Sequence, residues 1–362
     1  MNENFNLINY MNNGVRSIVE NALKASLKNP RESAFLLKYL KASKKAEKQR
    51  MKQERLGSHI PPFLIASIST KCNLFCKGCY ARANESCHEK DSAEQLTVND
   101  WNRLFRESED LGVSFILLAG GEPLMRKDVI RCAGEIPNII FPIFTNGTMV
   151  DSEYLDLFHQ KRNLVPILSL EGSATETDQR RGEGVFQQIE STMEQMKNLG
   201  LLFGASITVT TENIHTVTEE TFLRSLSLAG CKIVFFVEYV PVAPETENLA
   251  PTQTEREIMD QRLAALRSQD GGMVLLSFPG DEQYSGGCLA AGRGFFHINA
   301  DGGAEPCPFS PFSDINVRGH SLLEVLNSKL FRNLHNSGLL NMEHNGGCAL
   351  FQKESEIREM IS

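Results

Sequence analysis

From Phe63 to about Val242 the chain alternates apolar, β-branched runs with amphipathic ones at a regular pace, and this rhythm constrains the fold more than any other feature. Strands are predicted at Phe63–Ser69, 114–118, 139–144, 165–170, 205–210 and 232–237. Helices are predicted between them at 98–110, 127–135, 151–160, 184–199 and 218–229. The strand runs are rich in Ile, Val, Leu and Phe without clean in–out alternation, which suits a parallel sheet covered on both faces. Six such units are too few to close an eight-stranded barrel. The expectation is therefore an α/β fold with an open, curved partial (β/α)6 barrel over residues 58–243. Chemistry in such folds sits at the C-terminal ends of the strands.

The flanks differ in character. Residues 1–57 hold twelve Lys/Arg against five Asp/Glu, a net +7, which leaves −15 for the rest of a chain whose total is −8. Val15, Ile18, Val19, Ala22 and Leu23 recur at helical spacing, Ala34, Leu37, Lys38 and Lys41 continue it, and Pro30 breaks the run in two. This N-terminal helical extension reads as a solvated leader packed on the domain. The other reading is a surface for an anionic partner or an acidic membrane. No aromatics interleave with its charges, so nothing marks a nucleic-acid groove. Residues 244–362 open with Pro244 and Pro251, continue with an amphipathic helix at 254–268, and then become dense in glycine with cysteines at 288, 307 and 348.

The loop after the first strand reads Cys72-Asn73-Leu74-Phe75-Cys76-Lys77-Gly78-Cys79-Tyr80. Three thiolates within eight residues suit a soft metal centre. On one loop they can hold three corners of an iron–sulfur cube and leave the fourth iron open. A zinc knuckle is the competing reading, although structural zinc takes four ligands, as is chance clustering of buried cysteines. Nine cysteines in all, spaced for metal rather than for a disulfide framework, point to a reducing cytoplasm. An iron–sulfur centre of this type would be oxygen-sensitive, which suits an anaerobic or microaerobic host.

Cys-x3-Cys-x2-Cys followed by an aromatic resembles the signature of the radical S-adenosylmethionine (SAM) superfamily, whose core is a partial (β/α)6 TIM barrel. Further stretches resemble that family in the right order. Ala119-Gly120-Gly121-Glu122-Pro123 follows the second strand. Its glycines allow a close backbone approach, and the resemblance gives it the SAM amino group, with Tyr80 beside the adenine. Thr145 and Asn146 close the third strand and would line the same pocket. Ser169-Leu170-Glu171-Gly172 closes the fourth and resembles the Ser-x-Asp-Gly of the peptide-modifying branch, with Glu for the commoner Asp. Asp178-Gln179-Arg180-Arg181-Gly182-Glu183-Gly184-Val185-Phe186 resembles the same branch's Asp-x-x-Arg-Gly-x-Gly-x-Phe. There Arg181 would clamp the SAM carboxylate, as guanidinium does in bidentate fashion, and Thr208 on the fifth strand would reach the adenine through its backbone. Glu238, at the end of the sixth strand, is a candidate substrate-orienting or proton-accepting carboxylate; a rim salt bridge is its plainer reading.

Cys288-x13-Gly302-x4-Cys307 resembles the opening of a SPASM/twitch domain, a small iron–sulfur module. The Cys-x2-Cys-x5-Cys-x3-Cys run of a full SPASM domain is missing, and Cys348 alone follows. The resemblance thus supports at most one auxiliary 4Fe–4S cluster on Cys288, Cys307 and Cys348. His297, His344 and Cys87 are the candidates for its fourth ligand, and zinc on the same cysteines is the alternative. Cys132 and Cys231 sit in ordinary helix and strand surroundings as packed thiols.

Taken together, the resemblance implies a 4Fe–4S cluster on Cys72, Cys76 and Cys79 whose open iron binds SAM. An electron from a donor such as flavodoxin or ferredoxin would cleave SAM to a 5′-deoxyadenosyl radical, which abstracts a substrate hydrogen. The substrate expected is a peptide or protein that is oxidised or cross-linked, with a small molecule of cofactor biosynthesis as the alternative. A non-catalytic iron–sulfur scaffold is the reading from another class, and the SAM-like stretches speak against it. The chain has no apolar run of the ~18 residues a membrane span needs, and Met1-Asn2-Glu3-Asn4 lacks the layout of a secretory signal.

Overall fold

The computed structural model describes residues 5–27, 29–88, 95–268, 272–341 and 348–361. The six expected strands are β1 (Phe63–Ser69), β2 (Phe115–Gly120), β3 (Phe141–Thr145), β4 (Leu164–Leu170), β5 (Gly204–Val209) and β6 (Ile233–Glu238). They lie side by side in chain order, and every neighbouring pair is parallel. Helices such as Val98–Leu111 and Val185–Asn198 cross between them. Trp101, Leu104 and Phe105 on the first of these are buried against the sheet with Leu64, Ile116 and Phe141. The helix starts in a capping box of Thr97 and Asp100 and stops at Gly112, which has φ +91°.

The C-terminal segment adds what the rhythm of the core does not announce. Val274–Phe278 forms β7, parallel to β6, after the helix Gln253–Ser268. His297–Ile298 (β8) and Ala304–Glu305 (β9) extend the opposite edge, β8 parallel to β1 and β9 antiparallel to β8. The sheet therefore runs β7-β6-β5-β4-β3-β2-β1-β8-β9. Both edges of the barrel core are thus paired by the tail, which removes exposed ladders of N–H and C=O groups. The β7–β8 connection has to travel from one edge of the sheet to the other, and it carries Cys288.

The N-terminal extension is two helices, α1 (Leu7–Ala25) and α2 (Pro30–Arg55). Pro30 does more than interrupt. It occupies the first turn of α2 behind the cap Asn29, whose side chain accepts the Arg31 and Glu32 N–H groups. Val15, Val19, Ala22, Leu36 and Tyr39 form one cluster with Phe115, Val165, Ile233 and Val274. Those strand residues stand at or next to the N-terminal ends of β2, β4, β6 and β7. The extension therefore covers the end of the sheet opposite the loops that carry chemistry. Part of its charge is buried there too. Arg50 donates to Asn12 Oδ1 at 2.7 Å, Ser114 Oγ at 2.9 Å and the Gly112 carbonyl, and burial lowers its pKa to about 10. Glu32, in α2's first turn, pairs with Arg162. Lys38, Lys41, Lys44, Lys45 and Lys48 remain exposed on α2.

Candidate active site at the first cysteine loop

Residues 70–79 leave the C-terminal end of β1 as a loop with Cys72, Cys76 and Cys79 half-buried along it. Successive strand ends tether the loop. From β2, Gly121 N–H donates to Ser69 O and Glu122 N–H to Lys71 O, both at 2.7 Å. These bonds require the turn to lie against the loop's backbone. A methyl group on Gly120, whose φ is +121°, would collide with the Ser69 carbonyl, and one on Gly121 with the Lys71 carbonyl. The close approach that these two glycines allow is thus, in part, to the chain itself. From β3, Asn146 Nδ2 donates to Asn73 Oδ1 at 2.8 Å, and Asn73 Nδ2 donates to Thr148 Oγ1 at 2.8 Å. Beyond β4, Arg180 O accepts from Lys77 N–H at 2.9 Å. Beyond β6, Tyr239 packs on Gly78, where a methyl group would meet the tyrosine hydroxyl at 2.5 Å. Within the loop, Arg82 donates to Leu74 O at 2.9 Å, and its guanidinium covers the exposed Phe75 ring at 3.8 Å.

Two buried carboxylates organise the floor. Glu122 caps the short turn Pro123–Met125, its Oε1 accepting from Leu124 N–H (3.0 Å) and Thr145 Oγ1 (2.7 Å). Its Oε2 accepts from Asn146 N–H at 2.8 Å. Burial pushes its pKa up while these hydrogen bonds pull it down. Glu171 accepts at Oε1 from Arg180 Nη1 (2.7 Å) and from Arg181 Nε (2.9 Å) and Nη2 (2.5 Å), and at Oε2 from Thr208 N–H (3.1 Å). It therefore binds both arginines and the adjacent strand, and a ligand would meet it through them. Arg181 Nη1 is left facing Cys76 Sγ at 3.9 Å. Asn213, silent in the sequence, donates from Nδ2 to Glu171 O and Thr208 O at 2.9 Å each. Lys77, Glu171, Gln179, Arg180 and Asn213 line a cleft of ≈ 380 Å³ beside the loop. The two arginines end a helix, Ala174–Arg181, which a capping box of Ser173 and Glu176 starts.

Ser169 is half-buried and sits opposite Ser206 in the β4–β5 register. Tyr80 opens the helix Tyr80–Ala83, and its ring meets Phe309 edge-on at 5.0 Å. Asn84 Nδ2 donates to Pro308 O at 3.2 Å, so the first cysteine loop abuts the segment just after Cys307. Glu238 is buried and pairs with Arg256 Nε at 2.5 Å, and both line a cavity of ≈ 180 Å³ at the end of β6.

Cys288, Cys307 and Cys348 arrive from three separate segments, the first two fully buried and the third half-buried. Phe351 N–H donates to Cys348 Sγ at 3.4 Å. The backbone at Ala290, Phe309 and Leu350 works against burial by lowering the pKa of Cys288, Cys307 and Cys348 in turn. Cys72 Sγ accepts the Leu74 N–H at 3.5 Å. Such bonds stabilise thiolate and recur around iron–sulfur centres. In the metal-free protein burial, with neighbouring acids and thiols, pushes Cys72 up to about 12 and Cys348 up to about 11, so iron binding has to release protons. Among the described residues no three His, Cys, Asp or Glu side chains are gathered tightly enough to hold one metal ion. Each set offers three thiols, the donor type an iron–sulfur cluster takes with each thiolate on a different iron.

Two proposed fourth ligands lie elsewhere. Both ring nitrogens of His297 are engaged, Nε2 with Ser67 Oγ and Nδ1 with Glu305 Oε2, each at 2.7 Å. Cys87 is a neighbour of Cys72 and Tyr80 and so belongs with the first loop. His344 and the Gly346–Gly347 pair lie outside the described residues. Cys132 and Cys231 lie in the helix Lys127–Gly134 and just before β6, apart from both sets.

With this geometry in hand, comparison with known proteins is informative. The family model described as the radical SAM superfamily matches residues 66–229. The AdoMet-dependent heme synthase of Methanosarcina barkeri is 26% identical over 300 residues, covering 75% of this chain and 84% of that protein. The sporulation killing factor maturation protein SkfB of Bacillus subtilis is 24% identical over 260 residues, covering 70% and 61%. In fold, the chain resembles Streptococcus suis SuiB bound to S-adenosylmethionine, with a TM-score of 0.68 at 18% identity over 85% of this chain and 78% of that one. SuiB bound to its precursor peptide SuiA superposes with a TM-score of 0.67, again at 18% identity, over 88% and 78%.

Proposed function

The chain belongs to the radical SAM superfamily of enzymes, and from that premise we propose that it modifies a peptide or protein by abstracting a hydrogen from one of its residues. The observation that carries the reading is the loop of Cys72, Cys76 and Cys79, tethered by the ends of β2, β3 and β4 and faced by Arg181. When bound, a 4Fe–4S cluster on these thiolates together with SAM supplies reductive cleavage of the sulfonium and a 5′-deoxyadenosyl radical. The protein's part is to hold, orient and exclude water. Gly120, Gly121, Glu122 and Pro123 set the loop's position and present backbone to the SAM amino group. Arg181, oriented by Glu171, offers its outward nitrogen to the SAM carboxylate beside Cys76. Thr145, Asn146, Ser169 and Thr208 form the walls toward ribose and adenine, with Tyr80 beside the adenine. Glu238, held by Arg256, positions substrate at the end of β6.

A second cluster on Cys288, Cys307 and Cys348 belongs to the same reading, supported by the burial of the three thiols from separate segments and by the Phe351 N–H bond to Cys348 Sγ. It would take the electron returned when the product radical is oxidised. An external donor such as flavodoxin or ferredoxin would reduce the first cluster. A peptide substrate is supported by the names of two relatives, SkfB as a maturation protein and SuiB with its precursor peptide. The heme synthase, matched over more of its length than SkfB, favours a second reading in which the substrate is an iron tetrapyrrole.

Anaerobic reconstitution with iron and sulfide counting, and SAM cleavage under dithionite, tests the proposal. About eight irons per chain and release of 5′-deoxyadenosine are expected. A loaded first cluster without cleavage would overturn it. Stimulation of cleavage by a precursor peptide encoded beside this chain, against stimulation by an iron tetrapyrrole, decides between the substrates.

A further inference from the structure

The outer face of α2 carries a charge pattern that its packing does not call for. Leu36, Tyr39, Ser43, Ala46 and Arg50 are buried and mark the side turned to the sheet. Six lysines, Lys38, Lys41, Lys44, Lys45, Lys48 and Lys52, are exposed on the opposite side, together with Leu37 and Arg55. At 3.6 residues per turn these eight fall within an arc of about 120° and run for about 27 Å along the helix. The three acids of α2 lie off that arc, each turned to a partner. Glu32 is buried against Arg162, Glu47 pairs with Arg16 of α1, and Glu54 pairs with His59. Like charges three and four residues apart repel one another along a helix. The stripe thus works against the stability of α2, and folding is not what it serves.

A second observation lies at the N-terminal end of α2. Leu27, in the turn between α1 and α2, and Leu228, at the end of the helix Glu220–Ala229, are 69% and 68% exposed, and Leu199 is exposed as well. Two hydrogen bonds bring these segments together. Asn29 Nδ2 donates to Gly200 O at 2.5 Å, and Lys197 Nζ donates to Leu228 O at 2.8 Å. Each of the three leucines stands at or within two residues of these contacts. Leu199 and Leu228 precede β5 and β6, so they lie at the N-terminal end of the sheet, the end that α1 and α2 cover. Exposed apolar side chains grouped beside a polar rim mark surfaces that meet a partner or a membrane.

We propose that this face of the protein lies on a bilayer that carries anionic lipid. α2 rests along the headgroups with its lysines on lipid phosphates, and Leu27, Leu37, Leu199 and Leu228 enter the acyl boundary. An exposed helix is a convex ridge, which a flat surface takes up along its whole length. A nucleic-acid groove would instead interleave aromatics with the charge. Residues 58–362 carry −15, so an anionic surface repels the bulk of the molecule and orients it by the one basic face. The loop of Cys72, Cys76 and Cys79, at the opposite end of the sheet, then faces away from the lipid and stays open to solution. The inference holds for either substrate.

The test is flotation of the full chain with vesicles of phosphatidylcholine alone and of phosphatidylcholine mixed with phosphatidylglycerol. Binding is expected to the mixed vesicles only. It should be lost between about 0.1 M and about 1 M salt, as the screening length falls from about 10 Å to about 3 Å. Each lysine near the surface contributes about fivefold to partition, so Lys41→Gln with Lys45→Gln should lower it about thirtyfold, with Tm and SAM cleavage unchanged. Leu27→Ser with Leu228→Ser should weaken binding while its salt dependence persists. Absence of binding to the mixed vesicles overturns the proposal, as does binding that the lysine pair leaves unchanged. Unchanged binding in the leucine pair overturns it too, since the stripe is then a general polyanion site. Salt-sensitive self-association on gel filtration that the lysine pair abolishes, without vesicle binding, gives the surface to a second copy and likewise overturns it.

Discussion

The two cysteine sites of this protein are built by opposite means. Cys72, Cys76 and Cys79 share one loop, and their spacing is a property of eight consecutive residues; the fold has only to hold that loop in place. It does so with the ends of neighbouring strands, through backbone bonds at Ser69 and Lys71 and side-chain bonds at Asn73. Cys288, Cys307 and Cys348 are separated by sixty residues from first to last and come from three separate segments, of which only the first lies on the connection between β7 and β8. The first site is half-buried beside a cleft and the second is mostly enclosed. An accessible site can receive a diffusing ligand, whereas an enclosed one suits electron transfer.

Five substitutions would break or sharpen that contrast. The largest effect is expected for Cys76→Ala, which should abolish SAM cleavage and halve the iron content. Cys348→Ala should remove a similar amount of iron, and its near-UV absorbance should lose only the second cluster's share. If both variants lost both clusters, the two sites would not be independent. Glu171→Gln leaves Arg180 and Arg181 beside a neutral amide, and breaking a buried pair costs roughly 3–5 kcal/mol. We expect a lower Tm and a KM for SAM raised on the order of tenfold, with the second cluster's EPR signal unchanged. Gly121→Ala forces the turn off the Lys71 carbonyl at a cost of about 1–3 kcal/mol. Iron should be lost from the first site and kept at the second, as iron counting would show. The smallest effect belongs to Tyr39→Phe at the far end of the sheet. It removes the hydroxyl's bond to Ser114 O, at 2.5 Å, and should cost about 1 kcal/mol by denaturant melts while both clusters load normally.

The same contrast explains what could be read in advance. The β/α rhythm depends on runs of six to fourteen neighbouring residues, and each of β1 to β6 lies within a few residues of its expected place. The sequence does not announce β7, because Val274–Phe278 follows closely on two glycines, nor β8 and β9, because two-residue strands carry no periodicity. Of the site, the cysteines, Glu122, Glu171 and Arg181 stand out by local pattern. Asn213 does not, since an asparagine after a strand has no distinguishing neighbours. His297 looked available as a ligand until its partners Ser67 and Glu305, one of them 230 residues away, were known.

The sequence by itself determined the parallel α/β core, the helical extension broken at Pro30 and the three-thiol loop with its glycine turn. All three are written in residues close along the chain, where secondary structure and metal-ligand spacing are local properties. Only the tertiary structure decided that the basic extension closes the N-terminal end of the sheet. It alone put Arg181 under the control of Glu171, and buried Cys288 and Cys307 from segments far apart in the chain. Those outcomes depend on which edges pair and which faces are buried, and burial is a property of the whole chain.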